Sequence, residues 1–184
     1  MRRDVRDIRG KIIIVTGSNS GIPNPNLLKI TQFLWFFAKF LGIGKQTAKE
    51  MAIRGAKVIM ACRDPGRAEE ARQDILSQVP GAHLVTSLIS LNFSKIFKLF
   101  HQTLALQEFM RIDLGDLDSI RSFVKEFKTR YDHLDVLVNN AGIFSLQRST
   151  TKDGFESHIG TNYLGPFLLT LLLVEPLSRA ENGR

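Results

Sequence analysis

Short apolar runs alternate with more polar, helix-like segments along most of this chain. The first run, Ile12 to Val15, is β-branched and bounded by turn residues, which is typical of a strand buried on both faces of a parallel sheet. Similar runs at 56–61 and 134–138 also end in turn-forming residues. The pattern therefore predicts a parallel sheet with the first strand near its centre.

Polar segments between these runs predict helices. Residues 44–54 carry alanine and methionine at the spacing of one buried helix face and end at Gly55, which suits a helix C-terminus. Residues 66–78 follow Asp64, a predicted N-cap, and Pro65, which suits the first helical position. Strand, glycine turn, helix and strand in this order predict a βαβ unit of a doubly wound sheet.

Two further helices are predicted in the second half of the chain. Asp116 is a candidate N-cap, and the apolar residues from Ile120 to Phe127 follow the spacing of one buried helix face. From about Asp153 a long apolar helix is predicted to run to Leu173, with a bend at 165–166.

Two aromatic-rich segments, at about 23–43 and 85–109, interrupt this pattern. Three interpretations are open: a helix that binds a membrane surface or a partner, an extra core layer, or sequence foreign to the fold. The third is favoured, because the flanks of each segment rejoin cleanly across it. We therefore predict one domain over residues 1–184, with both segments leaving the sheet as loops or surface helices.

Composition and charge narrow the function classes. The single cysteine, Cys62, allows neither an intrachain disulfide nor a cysteine-based zinc site, so we expect no metal and a reducing, intracellular compartment, cytoplasmic or at a membrane. No secretory signal and no clean membrane span of about 20 apolar residues is expected. The net charge of +7 comes from scattered basic residues that alternate with acids, which does not favour nucleic-acid binding.

A glycine-rich turn after the first strand is the clearest candidate for binding chemistry. Gly17 and Gly21 allow a tight turn and a close backbone approach, as a phosphate group needs when it docks on the amides opening a helix. The turn is cut, because Pro23 and Pro25 follow it and lack amide hydrogens. The expected helix resumes only at Gly44. Unless this glycine folds back beside Gly17, phosphate binding should weaken steeply.

Five landmarks in order resemble the short-chain dehydrogenase/reductase family. They are the turn Thr16 to Ile22, Gly44, the pair Asp113-Leu114, the stretch Asn139 to Gly142, and Asn162. The amino-acid sequences of stretches such as 58–64 and 139–144 are most similar to those of the retinol dehydrogenase branch. The resemblance implies a three-layer α/β Rossmann-type fold with a parallel sheet and helices on both faces. It also implies a chain truncated on its C-terminal side.

The resemblance further implies a site for a nicotinamide dinucleotide. The candidate cofactor-binding residues are Gly17, Ser18, Asn19, Ser20, Gly21, Ile22, Gly44, Arg63, Asp113, Leu114, Asn140, Ala141 and Gly142. In the family, the glycines bring the pyrophosphate to the helix N-terminus and residues such as 140–142 line the cofactor. Asp113 matches the residue that hydrogen-bonds the adenine amino group, although a helix-capping role is an alternative.

The end of the second predicted strand indicates which dinucleotide fits. A carboxylate there would accept the ribose hydroxyls of NAD, whereas an arginine accommodates the 2′-phosphate of NADP. Cys62 stands where the family's NAD-selecting aspartate would fall, and Arg63 follows it. NADP is therefore predicted in preference to NAD. The alternative is a surface ion pair between Arg63 and Asp64 or a helix-face acid.

Asn162 resembles the family's catalytic asparagine, which opens a helix and holds a water in the proton relay. The family's tyrosine and lysine, four residues apart, are absent, because neither Tyr131 nor Tyr163 is followed by such a lysine before Arg184. The resemblance therefore implies an NADP-linked oxidoreductase that acts on an alcohol or carbonyl of a retinol-like or other apolar substrate. We expect the 184-residue chain itself to be inactive.

Other interpretations stay open. A sugar-nucleotide epimerase of the extended type is disfavoured by Asn139 to Gly142, since that branch carries an alanine pair there. A non-catalytic scaffold could bind a partner or membrane through the aromatic segments. Association into a homo-oligomer and with a membrane is left undecided. The two inserts and the early end are also features of an aberrant transcript or gene model.

Overall fold

The computed structural model describes residues 7–19, 43–79, 81, 84–85 and 110–184. The elements in this part of the chain are β1 (Ile12–Thr16), α1 (Ile43–Ile53), β2 (Lys57–Cys62), α2 (Pro65–Gln78), β3 (Leu84–Val85), β4 (Met110–Arg111), α3 (Leu117–Arg130), β5 (Val136–Val138), α4 (Ser157–Ile159), a π-helical turn (Gly160–Leu164) and α5 (Gly165–Arg179). The two aromatic-rich segments lie outside the described residues except at their ends. Ile43 belongs to α1 and Val85 to β3.

The strands form one parallel sheet with β1 inside it. β1 pairs with β2 on one side and with β5 on the other, so that Ile14 stands opposite Ile59 and Leu137. All five residues of β1 are buried. The predicted parallel sheet and the central, buried first strand are therefore confirmed.

The two short strands β3 and β4 lie along the same edge of β2. The register is Val58 with Leu84, Ile59 with Val85, Ala61 with Met110 and Cys62 with Arg111. Only Met60 separates the two pairings. Met110 therefore pairs with β2 two positions beyond Val85, and a single position lies between them. The residues on either side of the second aromatic-rich segment thus lie along one edge of β2, as expected if they form a single strand when that segment is left out.

Helices cover both faces of the sheet, because side chains of a strand alternate between its faces. On one face, residues of β1 pack with α3 and α5 in a cluster that includes Ile12, Ile14, Ile120, Phe123, Leu169 and Leu173. On the other face, the remaining β1 residues pack with α1 and α2 in a cluster that includes Ile13, Val15, Ala48, Ala52, Ala71 and Ile75. The predicted three-layer α/β architecture is confirmed.

Local capping signals place two of the helices. Asp64 caps α2, where its Oδ1 accepts a hydrogen bond from the amide of Arg67 at 3.1 Å, and Pro65 opens the helix. Asp116 caps α3 and accepts from the amide of Asp118 at 3.0 Å. Both predicted N-caps are confirmed, because such caps depend on residues three or fewer positions away.

The structure corrects the start of the C-terminal helix. A helix from about Asp153 is wrong, because Thr151 donates its amide to the carbonyl of Phe155 at 2.8 Å in a turn that precedes the helix. Glu156 is the N-cap, and α4 begins at Ser157. The irregular part of the helix is the π-helical turn, which lies before the predicted bend at 165–166.

A second expectation about this helix is also corrected. The run Ser157–Arg179 is 23 residues long and, by length and composition alone, could cross a membrane. No clean membrane span was expected from the sequence, but α4, the π-helical turn and α5 follow one another without interruption. Leu169 and Leu173 of this run are fully buried against the sheet and α3, whereas Phe167, Leu171 and Val174 are each more than half exposed.

Candidate functional site

An open cavity of about 340 Å³ lies at the carboxyl ends of β1, β2, β4 and β5. Ligands bind at this edge of open parallel sheets, where the strand order reverses on either side of the first strand. Of the candidate residues, those that line the cavity are Gly17, Asn19, Gly44, Arg63, Asp113, Leu114, Asn140, Ala141 and Gly142. The structure therefore brings together most of a set that is scattered along the sequence.

Gly17 begins the turn after β1 and tolerates no side chain. Its φ is +67°, and a Cβ on it would lie 2.8 Å from the Cα of Ala141. Its amide donates to the carbonyl of Ala61 at 2.9 Å, which fixes the turn to the end of β2. The turn therefore runs close against the loop that follows β5.

Gly44, the second residue of α1, lies directly beside Gly17. A Cβ on Gly44 would stand 2.6 Å from the carbonyl oxygen of Gly17 and would overlap the side-chain nitrogen of Asn140. The helix begins at Ile43, so the amides at its start belong to residues other than Pro23 and Pro25, which have no amide hydrogen. The condition set by the sequence, that this glycine folds back beside Gly17, is met.

Thr16 joins the ends of β1 and β5 through its hydroxyl group. The Oγ1 atom accepts hydrogen bonds from the amides of Asn140 and Ala141, both at 3.0 Å, and donates to the carbonyl of Val138 at 3.4 Å. The side-chain nitrogen of Asn140 donates to the carbonyl of Thr16 at 3.0 Å. This network holds residues 140–142 in place at the cavity wall.

Ser18 lies outside the cavity wall, although the sequence predicts a cofactor contact. It is buried, and its Oγ is 3.4 Å from the Sγ of Cys62. Burial raises the pKa of the Cys62 thiol to about 11, so the pair is an uncharged contact inside the domain. The candidates Ser20, Gly21 and Ile22 fall outside the described residues.

Arg63 and Asp113 lie on the side of the cavity formed by β2 and β4. Arg63 is exposed at the end of β2. Asp64 pairs weakly with Arg67, at 3.7 Å, and caps α2, so the surface ion pair described for Arg63 and Asp64 is not formed. Asp113 accepts a hydrogen bond at Oδ1 from the amide of Gly115 at 2.9 Å, which orients its carboxylate.

Asn162 lies in the π-helical turn and holds the cavity wall without lining it. Its Oδ1 accepts from the amide of Ile143 at 2.8 Å, and its Nδ2 donates to the carbonyl of the same residue at 2.9 Å. Ile143 lines the cavity. Such π-helical turns occur often at functional sites, because they redirect one side chain out of the regular helix pattern.

Sequence reasoning missed eight residues of the wall as site residues, and four of them are polar or lie beside the candidate residues: Asp64, Arg67, Ile143 and Thr161. Asp64 and Arg67 were interpreted only as a cap and a helix-face charge. Their position just after the carboxyl end of β2 was the available signal, since ligands bind at that edge of a parallel sheet. Nothing in the local sequence marks Thr161, which reaches the cavity from the π-helical turn.

Comparisons with known proteins identify the family of this chain. A family model described as short chain dehydrogenase matches residues 80–184. Human retinol dehydrogenase 11 is 36% identical over 175 residues, which cover 95% of this chain and 41% of that protein. Mouse retinol dehydrogenase 12 is 33% identical and covers 96% of this chain and 42% of that protein. The chain therefore spans about two fifths of these relatives.

Solved structures share the fold. A metagenomic short-chain oxidoreductase in complex with NADP has a TM-score of 0.63 and 19% identity, and the alignment covers 96% of this chain and 61% of that one. Levodione reductase has a TM-score of 0.62 and 20% identity over 96% of this chain and 52% of that one. Both likenesses support the Rossmann-type fold.

With the family model matching more than half of its length, the chain belongs to the short-chain dehydrogenase family. Its curated relatives place the sequence in the retinol dehydrogenase-like branch of that family. The resemblance inferred from the five landmarks is confirmed.

Proposed function

We propose that this chain forms the dinucleotide-binding part of an NADP-linked oxidoreductase that acts on an alcohol or carbonyl of an apolar, retinol-like substrate. The observation that carries the proposal is the contact of Gly44 with Gly17 and Asn140, which closes the interrupted phosphate-binding turn in space. Relatives named as retinol dehydrogenases support the substrate class and favour it over a sugar nucleotide.

The residues of the cavity fit a dinucleotide. The first two residues of α1 line it, and helix N-termini bind phosphate through free amides and the positive end of the helix dipole. The volume of about 340 Å³ lies within the range of small-molecule sites. A bound nicotinamide dinucleotide would supply or accept the hydride. The chain's own residues bind and orient it between Gly17, Gly142 and Asp113.

Arg63 is proposed to select NADP. Changing Arg63→Asp should weaken NADP⁺ binding about 10- to 100-fold and leave or improve NAD⁺ binding, because a charge-assisted hydrogen bond to the 2′-phosphate is replaced by repulsion. Isothermal titration with both nucleotides measures the preference. Arg54→Asp is the matched control, since this exposed arginine lies at the other end of α1. An unchanged preference in Arg63→Asp would exclude Arg63 from selection.

The 184-residue chain is expected to bind the nucleotide without turning substrate over. Tyr131 lies at the far end of α3, stacked on Phe127 and beneath the ammonium of Lys57, the first residue of β2. Tyr163 is exposed and stacks on Phe167. Neither tyrosine is followed by a lysine four residues later, and the general acid–base assistance that such a pair gives is worth about 10² to 10⁴ in rate.

Oxidation of NADPH in the presence of an apolar aldehyde such as retinal tests this expectation. No turnover above the protein-free blank is predicted. Robust turnover would contradict it, and loss of that turnover in Tyr163→Phe would then identify Tyr163 as the proton donor.

A further inference from the structure

Two side chains of one helical run hold the loop that leaves the cavity. Asn162 binds Ile143 through both its amide atoms. His158, four residues earlier, accepts at Nε2 a hydrogen bond from the amide of Ser145 at 3.0 Å. Residues four apart lie on the same side of a helix, so both side chains face the loop and hydrogen-bond to Ile143 and Ser145, two residues apart.

The contact with Ser145 requires one protonation state of His158. An imidazole nitrogen that accepts a hydrogen bond carries no proton, so the proton of the neutral ring is on Nδ1. Nδ1 lies 2.8 Å from Oε1 of Glu156, to which it donates. The amides of Ile159 and His158 hold the pKa of Glu156 at about 2, so this acceptor is an ionised carboxylate at neutral pH.

The middle of the loop is exposed, and its own hydrogen bonds run between Ser145 and Gln147. The Ser145 hydroxyl donates to the Gln147 carbonyl and accepts the Gln147 amide, both at 3.1 Å. The far end of the loop is fixed, because Ser157 donates its amide to the carbonyl of Ser149 at 2.9 Å and the two hydroxyl groups are 2.6 Å apart. Between these anchors, Phe144 is 66% exposed and Leu146 is 93% exposed. Segments with so few buried apolar contacts depend on individual hydrogen bonds for their local stability.

We propose that neutral His158 is a positioning residue for the cavity: it holds Ser145 and thereby keeps Ile143 against the bound dinucleotide, and its protonation releases Ser145. The statement about the dinucleotide rests on the proposed function, whereas the statement about the loop does not. Protonated imidazole has two donors and no acceptor, so the Ser145 amide loses its partner.

Few charged groups surround His158. Glu156 contacts its ring, and the loop packed against it carries one charged residue, Arg148. The preceding turn carries Lys152, which pairs with Asp116 at 2.8 Å, and Asp153, which accepts the amide of Leu117 at 2.9 Å. Histidine is the side chain whose charge ordinarily changes between about pH 5 and 8, so the hydrogen bond to the Ser145 amide is tested across this range.

Two substitutions separate the hydrogen bond from the ring. His158→Gln supplies a carbonyl acceptor that does not titrate, and His158→Phe keeps a ring beside Phe144 without an acceptor. Binding of NADP⁺ by the wild type should weaken between about pH 8 and pH 5 by about tenfold more than binding by His158→Gln. The comparison removes the titration of the nucleotide's own phosphate. His158→Phe should bind about tenfold more weakly at both values.

Hydrogen exchange of the Ser145 amide, measured without nucleotide and corrected for intrinsic rates, tests the loop independently. Protection should fall about tenfold with acid in the wild type, stay constant in His158→Gln and be low throughout in His158→Phe. Equal protection in all three proteins overturns the proposal. Failure of every protein to bind NADP⁺ would overturn the proposed function instead, while the exchange data would still decide the role of His158.

Discussion

Deletion of residues 87–109 is expected to leave the fold intact and to raise the free energy of unfolding by about 2–3 kcal/mol. β3 and β4 lie in line on β2, and only Met60 separates their pairings. The 24 residues 86–109 therefore bridge a single register position. The entropy of closing a connection grows as (3/2)RT ln n, so replacing such a connection by one residue should gain about this amount. Urea unfolding followed by circular dichroism measures the change.

A deletion longer by one residue is the matched control. Removing 86–109 joins Val85 directly to Met110 and shifts the register of β4 on β2 by one position. Met110 is fully buried in the unmodified chain, and this shift would turn its side chain towards the opposite face of the sheet. This variant should be less stable than the shorter deletion by several kcal/mol, within the range of buried methionine losses of about 2–5 kcal/mol. Equal stability of the two deletions would contradict the conclusion that β3 and β4 lie along one edge of β2 with a single position between them.

Gly44→Ala is expected to weaken NADP⁺ binding about 10- to 100-fold and to lower the free energy of unfolding by about 1–3 kcal/mol. The added Cβ would meet the carbonyl of Gly17 and the side chain of Asn140, which are both fixed, so the start of α1 must move away from the turn. That movement takes the helix amides from the proposed phosphate position. Isothermal titration and urea unfolding measure the two effects.

Gly66→Ala provides the matched control for this substitution. Gly66 is likewise the second residue of a helix, but a Cβ there would lie 3.4 Å from Oδ1 of Asp64, an ordinary contact. We expect unchanged NADP⁺ binding and unfolding energy within about 0.5 kcal/mol of the wild type. If Gly44→Ala behaved like Gly66→Ala, the close approach of α1 to the turn would not matter for binding.

Local signals allowed much of this fold to be predicted. The β-branched run from Ile12 to Val15 predicted a buried central strand, because only a strand covered on both faces can bury four consecutive apolar side chains. Asp64 and Asp116 predicted helix starts, since an N-cap bonds amides two or three residues away. The start at Ser157 was missed because the cap there is a glutamate, which is not among the preferred N-cap residues.

The site depended on contacts that sequence alone does not fix. Gly44 is far from Gly17 in the sequence, so their contact could be stated only as a condition. Ser18 was placed with the cofactor because it lies in the turn, but its side chain faces Cys62, and the direction of one side chain cannot be inferred from its neighbours in sequence. His158 carried no signal at all, because its partner Ser145 belongs to a different segment.

We propose that the interrupted turn, once closed by Gly44, still forms a dinucleotide site selective for NADP. Isothermal titration of the unmodified chain with NADP⁺ and NAD⁺ tests it most directly. We predict saturable one-to-one binding of NADP⁺ with a Kd of about 1–100 μM, and binding of NAD⁺ at least about tenfold weaker. Absence of saturable binding of either nucleotide up to about 1 mM would contradict the account.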